Sequence, residues 1–426
     1  MTKLFRYLKK YRKESILAPF FKLIEVAFEL TVPLIVSNII DVGIENGDKD
    51  YIIKRCLLLG LLGILGLCST LVAQYFSAKA SVGFATDIRH ALFSHIGKLS
   101  YSQLDSLGAP TLITRLTGDI NQVQTGTNLT LRLVLRSPFV VFGAVIMAFT
   151  VDAKSSLVFV VAVPALAAVV FAIMLVCIPM YRKVQQKLDG LLSKTRENLL
   201  GTRVVRAFCK EDEEIEDFDA KNKALTEMQT AVGRISAFMN PATFVLINLA
   251  IIALIYIGAL RVDSGAISRG AVVALYNYMS QILVELIKLA NLIISVTKAI
   301  ACGNRIQSVL DIEPATVPGT VTEGDKKCEY SVEFDGACLS YNGSEESLHN
   351  IDLKIPRGST VGVIGSTGSG KSSLVNLIPR FYDVTGGCVL VDGVDVRDYD
   401  TKALRSKIGV VSQLSLIHIS EPTRRV

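Results

Sequence analysis

Long apolar runs alternate with polar stretches through the N-terminal part of the chain. Residues 56–77, 155–181 and 235–260 contain no Asp, Glu, Lys or Arg. A helix that crosses a bilayer needs ~20 mostly apolar residues, so each run is long enough to cross alone. Three further runs are interrupted but adequate. Residues 17–44 carry Lys22, Glu25, Glu29 and Asp41, residues 133–151 carry Arg136 near their start, and residues 270–297 carry Glu285 and Lys288. The pattern predicts six membrane-spanning helices. Buried helices of a soluble protein would not need uncharged runs of this length.

The polar stretches set the direction of the spans. Residues 1–16, 79–128 and 182–234 fall on one side and carry 21 Lys and Arg, against six in residues 45–55, 152–154 and 261–269. That excess places the N-terminus, both long loops and the C-terminal region in the cytoplasm. The N-terminal Lys3, Arg6, Lys9, Lys10, Arg12 and Lys13 precede a long span without a cleavage pattern, and read as a basic juxtamembrane segment. Both loops have helical spacing: Ile88, Leu92 and Ile96 in the first, and Leu188, Leu191, Leu192, Leu199 and Leu200 in the second. Breaks are predicted at Leu107-Gly108-Ala109-Pro110 and at Gly201.

Composition agrees with a membrane chain. Of 426 residues, 50% are hydrophobic and 20% charged, which excludes a disordered chain, and the net charge of +6 is too modest to point to nucleic acid. The eight cysteines form no CxxC pair, and the four histidines form no ligand cluster, so no metal centre is expected from them.

Hydropathy falls after Gly303. Pro314, Pro318, Gly319, Gly324, Asp325, Lys326 and Lys327 form a polar linker, followed by strand-like runs at 330–334 and 351–355 and an apolar strand at 360–364. The next residues are Gly365, Ser366, Thr367, Gly368, Ser369, Gly370, Lys371, Ser372 and Ser373. Positions 365–372 match G-x-x-x-x-G-K-[ST] at every defined position, and residues 373–378 continue as an amphipathic helix. Strand, glycine loop and helix form a phosphate cradle: glycines turn successive N–H groups inward, and the helix N-terminus favours an anion. Lys371 adds positive charge at the β/γ-phosphates, and the Ser372 hydroxyl is placed to ligate Mg²⁺. Tyr341, 24 residues before Gly365, is an aromatic able to stack on a purine, or equally a core or surface tyrosine. Gln413 ends an apolar strand at 408–412 with an amide able to reach a metal or the attacking water, although a single Gln is not diagnostic. Residues 388–393 read as a hairpin turning at Asp392-Gly393.

Six spans followed by a P-loop region resemble the ATP-binding-cassette (ABC) exporters, in the half-transporter form that fuses membrane and nucleotide domains. Residues 197–208 resemble the family's second cytoplasmic loop, with its coupling helix, and residues 89–119 resemble the first. The resemblance implies a six-helix all-α membrane domain followed by an α/β P-loop (RecA-like) nucleotide-binding domain. By the same match Tyr341 is similar to the adenine-stacking aromatic, residues 365–373 to the Walker A loop, and Gln413 to the Q-loop glutamine that also serves Mg²⁺. It further implies ATP and Mg²⁺ as cofactors, a second half-transporter as partner, and ATP-driven export of small amphipathic or drug-like molecules through the cytoplasmic membrane. Lipid or peptide cargo, a catalytically dead partner subunit and a channel are alternatives.

The expected division is 1–310 for the membrane domain, 311–330 for the linker, 331–413 for the nucleotide domain and 414–426 for a tail outside the family pattern. The 13 residues after Gln413 contain no signature motif, Walker B carboxylates or switch histidine, which the resemblance would place there. The nucleotide domain is therefore expected to be partial, and the chain as it stands to hydrolyse no ATP.

Overall fold

The structure, a computed structural model, describes residues 2–316, 318–325, 327–341 and 346–411. Gln413 and the segment 414–426 lie outside the described residues. Packing divides the chain into two units: Met1–Thr86 with Asn121–Ala301, and Asp87–Ile120 with Cys302–Val426.

Six helical stretches are long and apolar enough to cross a membrane: Phe5–Ile44, Lys49–Ile96, Ala109–Val151, Ala153–Ala207, Glu211–Asp263 and Arg269–Leu310. Each contains one of the six runs expected from hydropathy. The first opens with α1 (Phe5–Leu8), continues as α2 (Arg12–Asn38) and ends in a π-helical segment, Ile39–Ile44. The second is α3 (Lys49–Ile96). A separate short helix, α4 (Tyr101–Leu107), precedes the third, which consists of α5 (Ala109–Thr114), a π-helical segment Arg115–Asp119, α6 (Ile120–Leu133) and α7 (Arg136–Val151). The rest are α8 (Ala153–Ala207), α9 (Glu211–Ala237) leading into α10 (Met239–Asp263), and α11 (Arg269–Leu310).

In the first unit, α2, α7, α8, α10 and α11 bury a common core. Val26 and Leu30 meet Val140 and Ala144 of α7, Phe159 and Leu166 of α8, Leu254 of α10, and Leu275 and Met279 of α11. Small residues such as Ala144, Ala148, Ala250 and Ala274 let the helices approach closely, where packing supplies the association that hydrophobicity cannot supply in lipid. Tyr278 donates its buried hydroxyl to the Leu30 carbonyl at 2.7 Å. By contrast α3 leaves Leu57, Leu61, Ile64, Leu67 and Leu71 exposed, as hydrocarbon contact requires.

Polar ties hold the short loops. Asp41 accepts from the Ser268 hydroxyl at 2.6 Å and the Gly270 N–H at 2.7 Å. Asp152 caps α8, accepting from the Ser155 N–H at 2.8 Å, and pairs with Arg261 at 2.8 Å. Deeper in the bundle, Arg136 of α7 pairs with Glu285 of α11 and, at 2.8 Å, with Glu29 of α2. Ser137 and Lys288 also donate to Glu285, at 3.1 and 2.8 Å, and Lys22 pairs with Glu25 on α2.

One expected break is not there. α8 runs through Gly201 to Ala207, and the chain turns instead at Phe208–Lys210, where Cys209 takes a left-handed φ of 52°. A lone glycine costs a helix interior only about 1 kcal/mol, which the long helix absorbs. The acidic run Glu211–Glu214 then starts α9, where negative charge suits a helix N-terminus. Lys194 ties the two helices, reaching Glu214 at 2.7 Å and Asp217 at 3.1 Å.

The second unit holds an antiparallel sheet of order β2-β1-β3-β4, formed by β1 (Tyr330–Ser340), β2 (Glu346–Pro356), β3 (Gly386–Val391) and β4 (Val394–Asp395). Two short helices, α12 (Lys371–Leu377) and α13 (Thr401–Ser406), complete it. Phe334, Leu339, Leu348, Leu377, Val389 and Tyr399 form its core. The expected hairpin is present: β3 pairs with β4 across Asp392 and Gly393, both at positive φ (50° and 75°), the requirement of a type I′ turn. The polar linker is docked rather than loose, since Gly319 and Val321 donate to the backbone carbonyls of Tyr399 and Asp398, both at 2.9 Å.

Two expected strands do not form. Residues 360–364 and 408–411 are extended but unpaired, and Ile364 is 99% exposed. A strand requires a neighbour for its N–H and C=O groups. Among the described residues neither segment has a ladder partner, and the sheet consists of β2-β1-β3-β4 alone.

Candidate nucleotide-binding site

The glycine loop joins the unpaired segment 360–364 to α12. Gly370 is the residue before the helix and has φ of +85°, as does Gly368. At Gly370 a side chain would be strained by φ and would also meet Leu348 Cδ2 at 2.8 Å and the Ser347 carbonyl at 2.9 Å. The loop therefore curls tightly against the end of β2. Residues 365–369 are exposed, and the first N–H groups of α12 have no partner within the helix.

Lys371, the first residue of α12, folds back over this loop. Its Nζ donates to the Gly365 carbonyl at 3.0 Å, the Ser366 carbonyl at 2.6 Å and Ser369 Oγ at 3.2 Å. An ammonium group thus sits in a concave, solvent-open ring of backbone. A positive charge held over an exposed glycine loop fits a polyphosphate. Ser372 comes next, with an exposed hydroxyl.

Tyr341, left open in the sequence between stacking and packing, stands beside this loop. Its hydroxyl donates to Ser373 Oγ at 3.0 Å, which fixes the ring against the start of α12. The loop, Lys371, Ser372, Ser373 and Tyr341 are therefore brought together. Gln413 lies outside the described residues.

Sequence reasoning passed over Tyr382. Its ring meets the edge of Tyr341 with centroids 5.0 Å apart, and its hydroxyl donates to Asp105 of α4 at 2.6 Å. Burial and the carboxylate at the hydroxyl push the Tyr382 phenol well above the usual tyrosine range. Neighbouring Phe381 stacks on Tyr101 of α4 at 4.6 Å. The short helix α4 is capped by a reciprocal Ser100–Gln103 pair, and Gln103 also donates to the Glu313 carbonyl at 2.7 Å. Buried Arg380 fixes the turn that presents these aromatics, bonding Asp383 at 2.6 Å and the Arg397 carbonyl at 3.1 Å. The signal was the Arg-Phe-Tyr-Asp run directly after α12, where aromatic and charged residues share an irregular segment.

Comparison with known proteins agrees with this geometry. Residues 15–286 match the model of the ABC transporter transmembrane region, and residues 348–423 match the ABC transporter model. An uncharacterized ABC transporter ATP-binding protein of Mycobacterium tuberculosis is 35% identical over 97% of this chain and 71% of its own length. The uncharacterized ABC transporter ATP-binding protein YfiB of Bacillus subtilis is 31% identical over 98% of this chain and 73% of its own length. An ATP-dependent lipid A-core flippase of Vibrio vulnificus is 26% identical over 96% of this chain and 70% of its own length. The six spans, the loop charges and these matches describe a multi-pass protein of the cytoplasmic membrane whose nucleotide-binding region is cytoplasmic. With the transmembrane model alone covering more than half of its residues, the chain belongs to the ABC transporter family, as an exporter-type half-transporter with fused membrane and ATP-binding domains.

Proposed function

We propose that the chain is one subunit of a dimeric exporter that uses ATP to move small amphipathic molecules out through the cytoplasmic membrane. The observation that carries this is the ammonium of Lys371 held over the carbonyls of Gly365 and Ser366, in a chain with six helices able to span a bilayer. In this reading Lys371 leaves those carbonyls for the β/γ-phosphates. The N–H groups of Gly368, Ser369, Gly370 and Lys371 hold phosphate oxygens, and the Tyr341 ring covers the base. Ser372 and Gln413 would hold Mg²⁺, which would supply neutralisation of the phosphate charge. Tyr382 and Phe381 join the bound nucleotide to α4, in the first cytoplasmic loop, through Asp105 and Tyr101. A second reading, lipid export, is supported by the name of the Vibrio relative.

The test is ATP binding by the purified chain in nanodiscs, read with a fluorescent ATP analogue. Lys371→Ala removes charge-assisted hydrogen bonds of ~1.5–3 kcal/mol, so affinity should fall roughly 10- to 150-fold. Saturable binding that is unchanged by Lys371→Ala, or no saturable binding by the parent chain, would overturn the proposal.

A further inference from the structure

The ionic cluster of the membrane unit borders a cleft of about 420 Å³ between α2 and α11. Ligand sites commonly have volumes of ~300–1,000 Å³, so the cleft can take a small headgroup. Its polar lining consists of Glu29 from α2 and Asn277, Ser280, Gln281, Glu285 and Lys288 from α11. These groups lie in the middle of two apolar spans, where uncompensated polarity is costly and marks a pathway or site.

The hydrogen-bond inventory of the cleft is unbalanced. Glu285, 4% exposed, is fully engaged: Arg136 and Lys288 hold one oxygen and Ser137 the other. Glu29 is 38% exposed, and Arg136 holds only its Oε2. No other hydrogen bond reaches the Glu29 carboxylate among the described residues. Gln281 Oε1 is buried without a donor. Glu29 thus presents one carboxylate oxygen, Oε1, to the cleft without a donor, while Lys288 is already committed to Glu285.

A carboxylate oxygen without a donor within an apolar span is costly, so the cleft favours a ligand that brings N–H groups to Glu29. An anionic headgroup would meet the Glu29 carboxylate. A quaternary ammonium brings charge but no donor. A primary ammonium brings both, with one N–H bond for Glu29 Oε1 and two more for amide or hydroxyl groups of the lining such as Asn277 and Ser280.

We propose that the α2–α11 cleft is a subsite for the protonated primary amine of an amphiphilic substrate, with Glu29 as the charged acceptor. This rests on the exporter reading for its purpose, but binding can be tested without ATP. The experiment uses the full chain in phosphatidylcholine nanodiscs and radiolabelled dodecylammonium, with empty nanodiscs subtracted. Dodecyltrimethylammonium is the probe without N–H donors. The primary amine should bind about ten-fold more tightly than the trimethyl probe, the worth of one charge-assisted hydrogen bond. Glu29→Gln, which leaves Arg136 its Glu285 partner, should erase that preference. Ser280→Phe, which fills the cleft without touching an ion pair, should weaken both probes.

Equal affinity of the two probes for the parent chain would overturn the proposal, as would a preference surviving both substitutions. If Glu29→Gln does not fold, Ser280→Phe decides alone. Phosphatidylethanolamine added as competitor identifies the source of the amine. Displacement assigns the site to a lipid headgroup and no displacement to a soluble amphiphile, and either supports the amine chemistry. Fluorescent ATP binding is measured on the same samples. In the parent chain, ATP binding without amine selectivity would sink the subsite and leave the ATP reading standing, and amine selectivity without ATP binding would do the reverse.

Discussion

Replacing Arg136 by Met should destabilise the membrane unit sharply, and replacing Glu285 by Leu in the same chain should restore most of the loss. The two side chains are 9% and 4% exposed and belong to helices far apart in sequence. Removing one member of such a buried pair strands the other charge, at a cost of ~3–5 kcal/mol. Here Glu285 retains Ser137 and the half-exposed Lys288, so the lower end applies, about 3 kcal/mol. Glu29 adds little, because its carboxylate is already partly open to the cleft. Replacing both partners by apolar residues of similar size removes charge and counter-charge together, so the double variant should fall within about 1 kcal/mol of the parent.

The assay is thermal unfolding in detergent. Cys56, Cys68, Cys209, Cys302, Cys328, Cys338 and Cys388 are replaced by Ala in parent and variants alike, and a thiol-reactive dye then reports the opening of buried Cys177. For a unit of this size 1 kcal/mol moves Tm by about 2–4 °C, so Arg136→Met should lower it by roughly 6–12 °C. The decisive quantity is the coupling. If Arg136→Met costs less than about 1 kcal/mol, or if the double variant is at least as unstable as the single, the buried-pair reasoning is wrong.

The nucleotide-binding unit gives two further expected outcomes. Gly368→Ala meets only backbone strain, since no atom lies within 4 Å of the added carbon, whereas Gly370→Ala adds a collision with Leu348 and Ser347. The left-handed conformation alone costs about 1–2 kcal/mol, so fluorescent ATP titration should show clearly weaker binding for Gly370→Ala than for Gly368→Ala, and equal losses would refute the cradle geometry. The Tyr382 phenol, raised by burial and by Asp105, should stay protonated at alkaline pH where free tyrosines ionise. Its contribution to stability is present below the free value of about 10 and fades as pH rises through the higher folded value. Asp105→Asn should bring the Tyr382 titration, followed by ultraviolet absorbance against Tyr382→Phe, back toward the ordinary range.

The six spans were legible because lipid imposes a one-dimensional rule: length and absence of charge suffice. The Asp392-Gly393 turn was legible for a similar reason, since two left-handed residues in a row leave few choices. Gly201 misled because a glycine ends a helix only where the residues beyond it cannot continue the coil, and α8 meets no proline or cap between Gly201 and Phe208. Residues 360–364 misled because strand propensity does not supply a neighbour. The intrahelical pairs Lys22–Glu25 and Glu285–Lys288 were visible as spacing. Arg136 as the bridge between Glu29 and Glu285 was not, because helix packing lies outside any local pattern. In the candidate site the P-loop motif marked the glycine loop and Lys371 in advance, yet Tyr382 carried no signal beyond an aromatic in an irregular segment.

Tyr382 limits how nucleotide can act on the first hairpin. On the proposed function, ATP can bias the membrane unit only by the difference in its affinity for two arrangements. Within the second unit, the described side-chain contacts that join the Tyr341 side of the candidate site to α4 are Tyr341 on Tyr382, Tyr382 to Asp105, and Phe381 on Tyr101. An aromatic pair is worth about 0.5–1.5 kcal/mol beyond its area, and a half-exposed hydrogen bond to a carboxylate about 1 kcal/mol. Three such contacts can carry a few kcal/mol, the usual size of an allosteric coupling. The same sum means that no single contact is indispensable. Tyr382→Phe, which keeps both ring contacts and loses only the hydroxyl, should weaken the communication between bound ATP and α4 without abolishing it. Hydrogen exchange of residues 101–107 with and without ATP measures this: a partial loss of ATP-dependent protection fits a distributed contact, and complete loss would show that the hydroxyl alone transmits.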